Sequence, residues 1–458
     1  MSGLASFRSA LKERVTWLLV SLMVIEALLL FVWSIPGTIA LRNGLTALLL
    51  ILLVCAPKDA TLAKACLNTL GGRLVLVLSL WIVAHNLIFA WDMVRSWYES
   101  LQWYKSLVCM GLGLGLVCVS RKTGREGHWR IWLAGAALAW ALHLLLNLAL
   151  KDWNSPFHAV LQESTAIGSR DMESYLGTGL LGFLLADAVA RMVNGTRLFP
   201  LPSWVLGLGV GITIVLTAAT LTRNALPVMA AEIALAIIAL IGASRTRAQK
   251  IRRGGLAVVA MVLVMAMGVA DVKLDPRWKT FEDSVRIAWD IDGHKWWLDS
   301  QRYPRPELSP GVLVDDSAYL RTAWLHGAAR MISHYPLGTG YDRNAFRRAL
   351  EREYGPIDNP PGHAHAGLLD FTLGTGVPGG MLLVAALGAL AWLGWRRWRE
   401  SGEVAGLALA LYVSAYTLRA CMDGIVRDHM LEQAMFIMGL LLAATLTNPS
   451  TNTSKSPA

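Results

Sequence analysis

Long apolar runs, each about the length of a bilayer crossing, follow one another along this chain with short polar connections between them. A spanning helix needs roughly 20 apolar residues, because each rises about 1.5 Å through a hydrocarbon core near 30 Å thick. Runs of this kind occupy 15–34, 37–55, 74–91, 104–120, 131–150, 175–192, 203–221, 225–242 and 255–270. A long polar interval follows, and then three more runs at 367–395, 404–421 and 430–446. Glycine and proline within the runs do not argue against helix, since both are commoner in membrane helices than in soluble ones. The pattern predicts an all-α polytopic membrane protein with about twelve transmembrane helices. Arg8, Lys12 and Arg14 precede the first run as they would a signal peptide. That run is too long for a signal sequence and carries Glu26, so it reads as a retained first helix.

Composition supports the membrane assignment, and charge orients it. Only 16% of the 458 residues are charged and 55% are apolar, with a mean hydropathy of +0.46; a soluble domain carries about a quarter charged residues. Lys and Arg concentrate in alternate connections, including Lys58, Lys64 and Arg73, then Arg121, Lys122, Arg125 and Arg130, then Arg245, Arg247, Lys250, Arg252 and Arg253. The basic side is the cytoplasmic one, which places both termini inside and the long interval outside. The net charge of +10 therefore belongs to juxtamembrane loops and does not indicate a nucleic-acid partner. The organisation predicted is a bundle of about nine helices over 1–270, a loop domain over 271–366, closing helices over 367–447 and a disordered cytoplasmic tail over 448–458. The five cysteines avoid the loop, so no disulfide framework is expected there, and no CxxC suggests zinc.

The long loop reads as mostly helical. Trp278, Phe281, Val285 and Trp289 have helical spacing over 277–290, and Tyr319, Leu320, Trp324, Ala328 and Met331 share a face over 317–334. Between them, 295–310 is rich in Trp and Pro and is expected to be irregular, lying against the membrane surface where indole rings are favoured. The second helix stops at Tyr335-Pro336, before the turn-forming Gly338-Thr339-Gly340; a short helix over 344–354 leads to His363-Ala364-His365 at the mouth of the next span.

Three features there could carry chemistry. A histidine at the membrane–water boundary titrates near neutrality and can accept a proton; the plainer alternative is that His363 and His365 only hydrogen-bond headgroups or backbone. No third His, Cys or carboxylate stands at ligand spacing, so no metal site is expected. Arg223, between two apolar spans, either meets an anion or snorkels to the interface. Arg321 sits on the loop helix; alone it would be a solvated arginine, whereas beside Arg223 it would complete a guanidinium clamp for a diphosphate. Asp290-Ile291-Asp292 has a DxD form that arises often by chance, and the glycines of 111–115 more simply allow close helix packing. Glu26, His85, His143, Asp187 and Glu232 fall inside spans and are expected to make interhelical hydrogen bonds rather than to form a shared path.

Together these residues resemble the bacterial O-antigen ligases, within the wider O-antigen ligase and polymerase superfamily. Most of the chain shares the topology of about twelve spans, a large late periplasmic loop and a few closing helices. The sharpest match is local. The family's pattern is His, a polar residue, nine residues, Gly, two residues and Gly; here His365 is followed by Ala366, then 367–375, Gly376, Val377, Pro378 and Gly379. Ala366 departs from the polar residue. The string Pro336-Leu337-Gly338-Thr339-Gly340 and the setting of Arg223 also look like this superfamily, and the spacing selects His365 over His363. The resemblance implies a metal-independent, cofactor-free, inverting glycosyl transfer of GT-C type at the bacterial inner membrane. The donor it implies is undecaprenyl-diphosphate-linked O-antigen and the acceptor is lipid A-core. His365 would be the general base and Arg223 and Arg321 would hold the diphosphate, with His363 and Asp423 in support, Asp423 orienting His365 or the acceptor. An O-antigen polymerase or a protein O-oligosaccharyltransferase would use the same donor. A lipid-linked glycan transporter is the non-enzymatic alternative, against which the absence of an internal repeat counts.

Overall fold

The computed structural model describes residues 2–244 and 246–447; Arg245 and the polar tail over 448–458 lie outside the described residues. The chain is an all-α polytopic membrane protein. Its helices up to the loop domain are α1 (Ser2–Val32), α2 (Ile39–Cys55), α3 (Ala60–Asn68), α4 (Leu70–Ile88), α5 (Met93–Lys122), α6 (Trp129–Ala149), α7 (Phe157–Gln162), α8 (Arg170–Asn194), α9 (Ser203–Ala219), α10 (Ala225–Gly242) and α11 (Arg247–Leu274). The loop domain holds α12 (Phe281–Trp289), a hairpin of β1 (Glu307–Ser309) and β2 (Val312–Leu313), α13 (Asp316–His334) and α14 (Ala345–Tyr354). Three helices close the chain: α15 (Gly367–Ser401), α16 (Val404–Ala420) and α17 (Asp428–Thr447).

Among the described residues, nine helices are long and apolar enough to cross a membrane, and α2 with α3 makes a tenth if that bent pair is one span. The shorter apolar helices α9 and α16 account for the other two predicted runs. The chain turns by 117° between α2 and α3, where Asp59 accepts the N–H groups of Thr61 and Leu62 as an N-cap and pairs with Arg121 at the end of α5.

The closing helices do not form a separate layer. α15 packs against α4 and α16, and α17 lies along α5. The α5–α17 contact is close because it is made through glycine. A Cβ on Gly113 would stand 2.0 Å from the Phe436 carbonyl oxygen, and one on Gly439 would stand 2.0 Å from that of Met110. The glycine pattern read from the sequence is a packing device, carried by Gly113; Gly111 meets nothing within 4 Å.

α15 is interrupted at Gly376, whose φ of 74° and ψ of 168° break the helix. The interruption frees carbonyls that a straight helix would use internally, and the Pro336–Gly340 turn takes them. Thr339 N–H donates to Leu373 O (2.8 Å), Gly340 N–H to Gly374 O (3.1 Å) and Val377 N–H to Pro336 O (2.8 Å). His85 on α4 also meets the Leu337 carbonyl. Glycine is required here, because a Cβ on Gly376 would lie 2.8 Å from the Leu337 backbone and the positive φ disfavours any other residue. Gly376→Ala is therefore expected to cost at least about 1–3 kcal/mol in backbone strain alone. It should appear as a lowered melting temperature in detergent, and a melting temperature equal to wild type would refute the requirement.

The structure corrects the reading of the loop in three places. α11 runs on to Leu274, so the loop domain begins at Asp275. The 295–310 stretch contributes to the loop's own core: Trp297 is buried, donates its indole N–H to Ile291 O (3.0 Å), and packs with Tyr319, Met331, Phe346 and Leu350. Part of the same stretch forms β1, a strand too short to leave a periodicity in the sequence. The Asp290–Asp292 pair is structural, since Asp290 accepts Gly293 N–H in a turn and Asp292 forms a two-pronged pair with Arg330 at 2.7 Å. Of the polar groups inside spans, His85 and Asp187 are hydrogen-bonded, but not between helices as expected: His85 meets Leu337 O in the turn after α13, and Asp187 accepts from Arg191 within α8 and from Leu198 N–H just beyond it. Glu26, His143 and Glu232 are buried with no hydrogen-bond partner among the described residues, contrary to the expectation.

Candidate active site

At the end of the bundle that carries the loop domain, the connection between α9 and α10 meets the start of α8, the end of α16, helix α13 and the segment entering α15. They enclose a cavity of about 1210 Å³ including its mouth. Arg223, Arg321 and His365 all line it, although they lie far apart in sequence. Arg170 and Arg277 add two further guanidiniums, while Leu226, Pro227, Phe281 and Leu325 supply an apolar wall.

His365 is held in an unusual way. Its φ is +54°, a left-handed conformation that costs a residue with a side chain of order 1–3 kcal/mol and persists only where the surroundings impose it. Here they do so from both sides. Ala364 N–H donates to Asp370 Oδ1 (2.8 Å), His365 N–H donates to His363 Nδ1 (3.2 Å), and Gly367 N–H donates to the Asp423 carbonyl (2.9 Å). The imidazole stacks on the Trp324 indole, with centroids 5.1 Å apart and planes 11° from parallel. That indole is itself fixed, because its N–H donates to Trp297 O (2.9 Å). The His363 ring lies 4.1 Å from that of His365.

The protonation state follows from this packing. Burial pushes the His365 imidazole down to about 4, helped by the positive charges of Arg321 and Arg427 and opposed by Asp171. His363 is pushed down to about 3, by burial first and then by Arg427, His365 and Arg321. Both rings are therefore neutral at neutral pH, and a neutral imidazole has one nitrogen able to accept a proton.

Arg223 does not snorkel. It pairs with Asp315 (3.0 Å) and Asp275 (3.5 Å), and its guanidinium lies 5.2 Å from the ring centres of both Trp278 and Phe281. Asp315 is also the N-cap of α13, accepting Ala318 N–H. Burial raises the Asp275 carboxyl, but hydrogen bonds from Arg277 and the charges of Arg277 and Arg223 outweigh it and hold the group below the usual carboxylate range. Arg223 thus ties the α9–α10 connection to the start of α13, the helix that carries both Arg321 and Trp324. Arg321 is less committed, meeting a carboxylate only at 3.7 Å, on Asp423.

Asp423 does not orient His365 through its side chain. The carboxylate pairs with Arg419 (3.0 Å) and accepts from Asn224 Nδ2 (2.8 Å); only its backbone carbonyl supports the histidine segment, one residue beyond Ala366. Ala366 stands at the N-cap of α15 with no side-chain cap; the first helical N–H, that of Gly367, is taken by the Asp423 carbonyl. Arg170, Arg277, Trp324 and Asp370 escaped the sequence reading because nothing local distinguishes them; only the tertiary fold brings Arg170 and Arg277 to the cavity and sets Trp324 and Asp370 against the His365 segment. Among the described residues, no group of three or more His, Cys, Asp or Glu could hold a metal ion.

Residues 208–384 match the family model described as O-antigen ligase, a segment that contains Arg223, Arg321, His363 and His365 and ends before Asp423. No curated protein matches the chain.

Proposed function

From the O-antigen ligase domain that this chain carries at residues 208–384, we propose that it is an inverting glycosyltransferase of the bacterial inner membrane. In this reading it transfers O-antigen from undecaprenyl diphosphate to a sugar hydroxyl of lipid A-core at the periplasmic face. The observation that carries the reading is the meeting of His365, Arg321 and Arg223 in one cavity. The acceptor hydroxyl attacks the anomeric carbon of the donor sugar while the bond from that carbon to the phosphate oxygen breaks and its electron pair stays on the phosphate. His365 takes the hydroxyl proton, without which the hydroxyl is a poor nucleophile. Arg321 and Arg223 hold the diphosphate and meet the charge that builds on it. No metal is required in this scheme, because guanidiniums occupy the place where charge develops.

The test is transfer by purified full-length protein in detergent, with lipid-diphosphate-linked glycan, lipid A-core and EDTA. Transfer by wild type and none by His365→Ala supports both the reaction and the base. Elongation of the lipid-linked glycan itself, without transfer to lipid A-core, would make the chain a polymerase.

The depressed histidines set an expected pH dependence. For the free enzyme, kcat/KM should show no histidine ionisation between pH 6 and 8, and should fall as pH drops toward about 4 and His365 protonates. Because the folded value lies below the unfolded one of about 6.5, the same group contributes stability above about pH 6.5 that is lost as pH falls toward 4. Removing Arg321 should move the acid limb upward, since one of the charges depressing the imidazole is gone. An acid limb that stays in place in Arg321→Ala would show that the two residues are not coupled.

A further inference from the structure

A carboxylate from outside the family-matched segment reaches the same cavity as His365. Asp171, in the first turn of α8, lines it together with His365, Arg321 and Arg223. Its backbone is fixed there. The Asp171 carbonyl accepts from the Ser174 hydroxyl (3.1 Å) and from the Arg419 guanidinium (3.2 Å). Arg419 is only 1% exposed and also pairs with Asp423 (3.0 Å), whose own carbonyl receives Gly367 N–H two residues beyond His365. One buried guanidinium thus clamps the start of α8 to the segment that carries the histidine.

The Asp171 side chain takes no part in that anchoring. Its Oδ1 is buried with no hydrogen-bond partner among the described residues, a costly state unless a donor or a positive charge arrives. Of the guanidiniums lining the cavity, Arg223 pairs with Asp315 and Asp275, Arg277 with Asp275, and Arg321 with Asp423.

We propose that Asp171 is the positioning carboxylate of the base, holding the positive charge that His365 gains when it takes the acceptor proton. The inference rests on the glycosyl-transfer reading and adds a residue to it. Arg321 from α13 and Arg427 from the α16–α17 connection press on the imidazole with like charge, and Arg170, Arg223 and Arg277 share its cavity. The neighbouring His363 ring is neutral and offers no compensation. A proton on His365 adds one more cation to this group, which repulsion opposes. Asp171 is the carboxylate whose charge favours the protonated ring. The Asp423 carboxylate is taken by Arg419 and Asn224, and Asp370 is turned to Ala364 N–H. Asp171 also repels the diphosphate, which keeps the donor charge on Arg223 and Arg321 and leaves the imidazole to the acceptor hydroxyl. During transfer the proton passes from that hydroxyl to the imidazole nitrogen and later to water at the mouth, while Asp171 stays ionised.

The experiment is the pH dependence of kcat and kcat/KM for transfer by the purified full-length protein, with donor binding and melting temperature measured on the same preparations. Asp171→Asn keeps the shape and removes the charge. It is expected to lower kcat by about tenfold or more, the worth of one pH unit of lost support for the imidazolium. With that support gone His365 protonates only in more acid solution, so the acid limb of kcat/KM should move down by about one pH unit. This is the opposite of the shift expected for Arg321→Ala, and a loss of packing alone would not produce it. Asp171→Glu restores the charge and should recover part of the rate and bring the limb back toward wild type. Asp171→Ser carries the same test if the asparagine variant does not fold. An acid limb that stays in place or moves upward overturns the assignment, as does an unchanged kcat; a raised acceptor KM alone would make Asp171 an acceptor contact instead. In each of those cases the wild-type protein still transfers, and only the role of Asp171 is lost. Wild-type protein that transfers to neither lipid A-core nor a lipid-linked glycan overturns the transfer reading itself.

Discussion

His365→Ala is expected to reduce glycosyl transfer by about 10²–10⁴-fold, the usual contribution of a positioned general base, with binding of the lipid diphosphate little changed. The separation follows from the site. The imidazole lies against Trp324 and lines the cavity, whereas the charges that would bind the diphosphate come from α13 and the α9–α10 connection. Loss of the ring removes one stacking contact, worth about 0.5–1.5 kcal/mol, so the variant should still fold. Initial rates and donor binding measured on the same preparation decide the matter. A His365→Ala protein with wild-type turnover would falsify the base assignment, and a variant that lost donor binding instead would make His365 part of the donor site.

Arg321→Ala should have the next largest effect, about 10²–10³-fold in transfer, as expected when one preorganised group stabilising developing charge is removed. Arg321 is the better probe of the two arginines because, among the described residues, its only ion pair is the long one to Asp423. Its loss therefore strands no tightly paired carboxylate. Arg321→Lys keeps the charge but not the planar fork, so it should recover part of the activity and remain well below wild type. Arg223→Ala would be harder to interpret. It removes a partner from both Asp315 and Asp275 and loosens the start of α13, so lost activity would be joined by lost stability. Equal melting temperatures for Arg223→Ala and wild type would mean that the tie to α13 is weaker than its geometry indicates.

The membrane architecture was legible because a bilayer imposes a length and a composition on every span, and twelve such runs stand out from their connections. α3 and the short hairpin were not legible: α3 is a nine-residue helix set at a sharp bend, and the hairpin strands are too short for a repeat to show. Within the site, His365, Arg223 and Arg321 could be singled out because each is a charged or titratable residue in a setting that makes charge costly or useful. Their partners could not. Asp275 and Asp315 look like ordinary helix-capping aspartates, and in part they are; that they also grip Arg223 depends on how the loop domain folds back onto the bundle. The partners of Asp423 were hidden for the same reason. A carboxylate in the short connection before the last span invited the pairing, but in space Arg419, Asn224 and Arg321 meet its side chain.

Helix α17 is among the most enclosed of the described spans: 89% of it is buried, and it lies along α5, the two backbones meeting at Gly113 and Gly439. Without α17, α5 would present a long seam shaped for a missing partner. Glu432 on α17 closes that seam with bonds to Gln102 and Lys105, and the connection preceding α17 carries the Arg427 charge toward His363 and His365. α17 is therefore not a peripheral segment but a strut of the bundle.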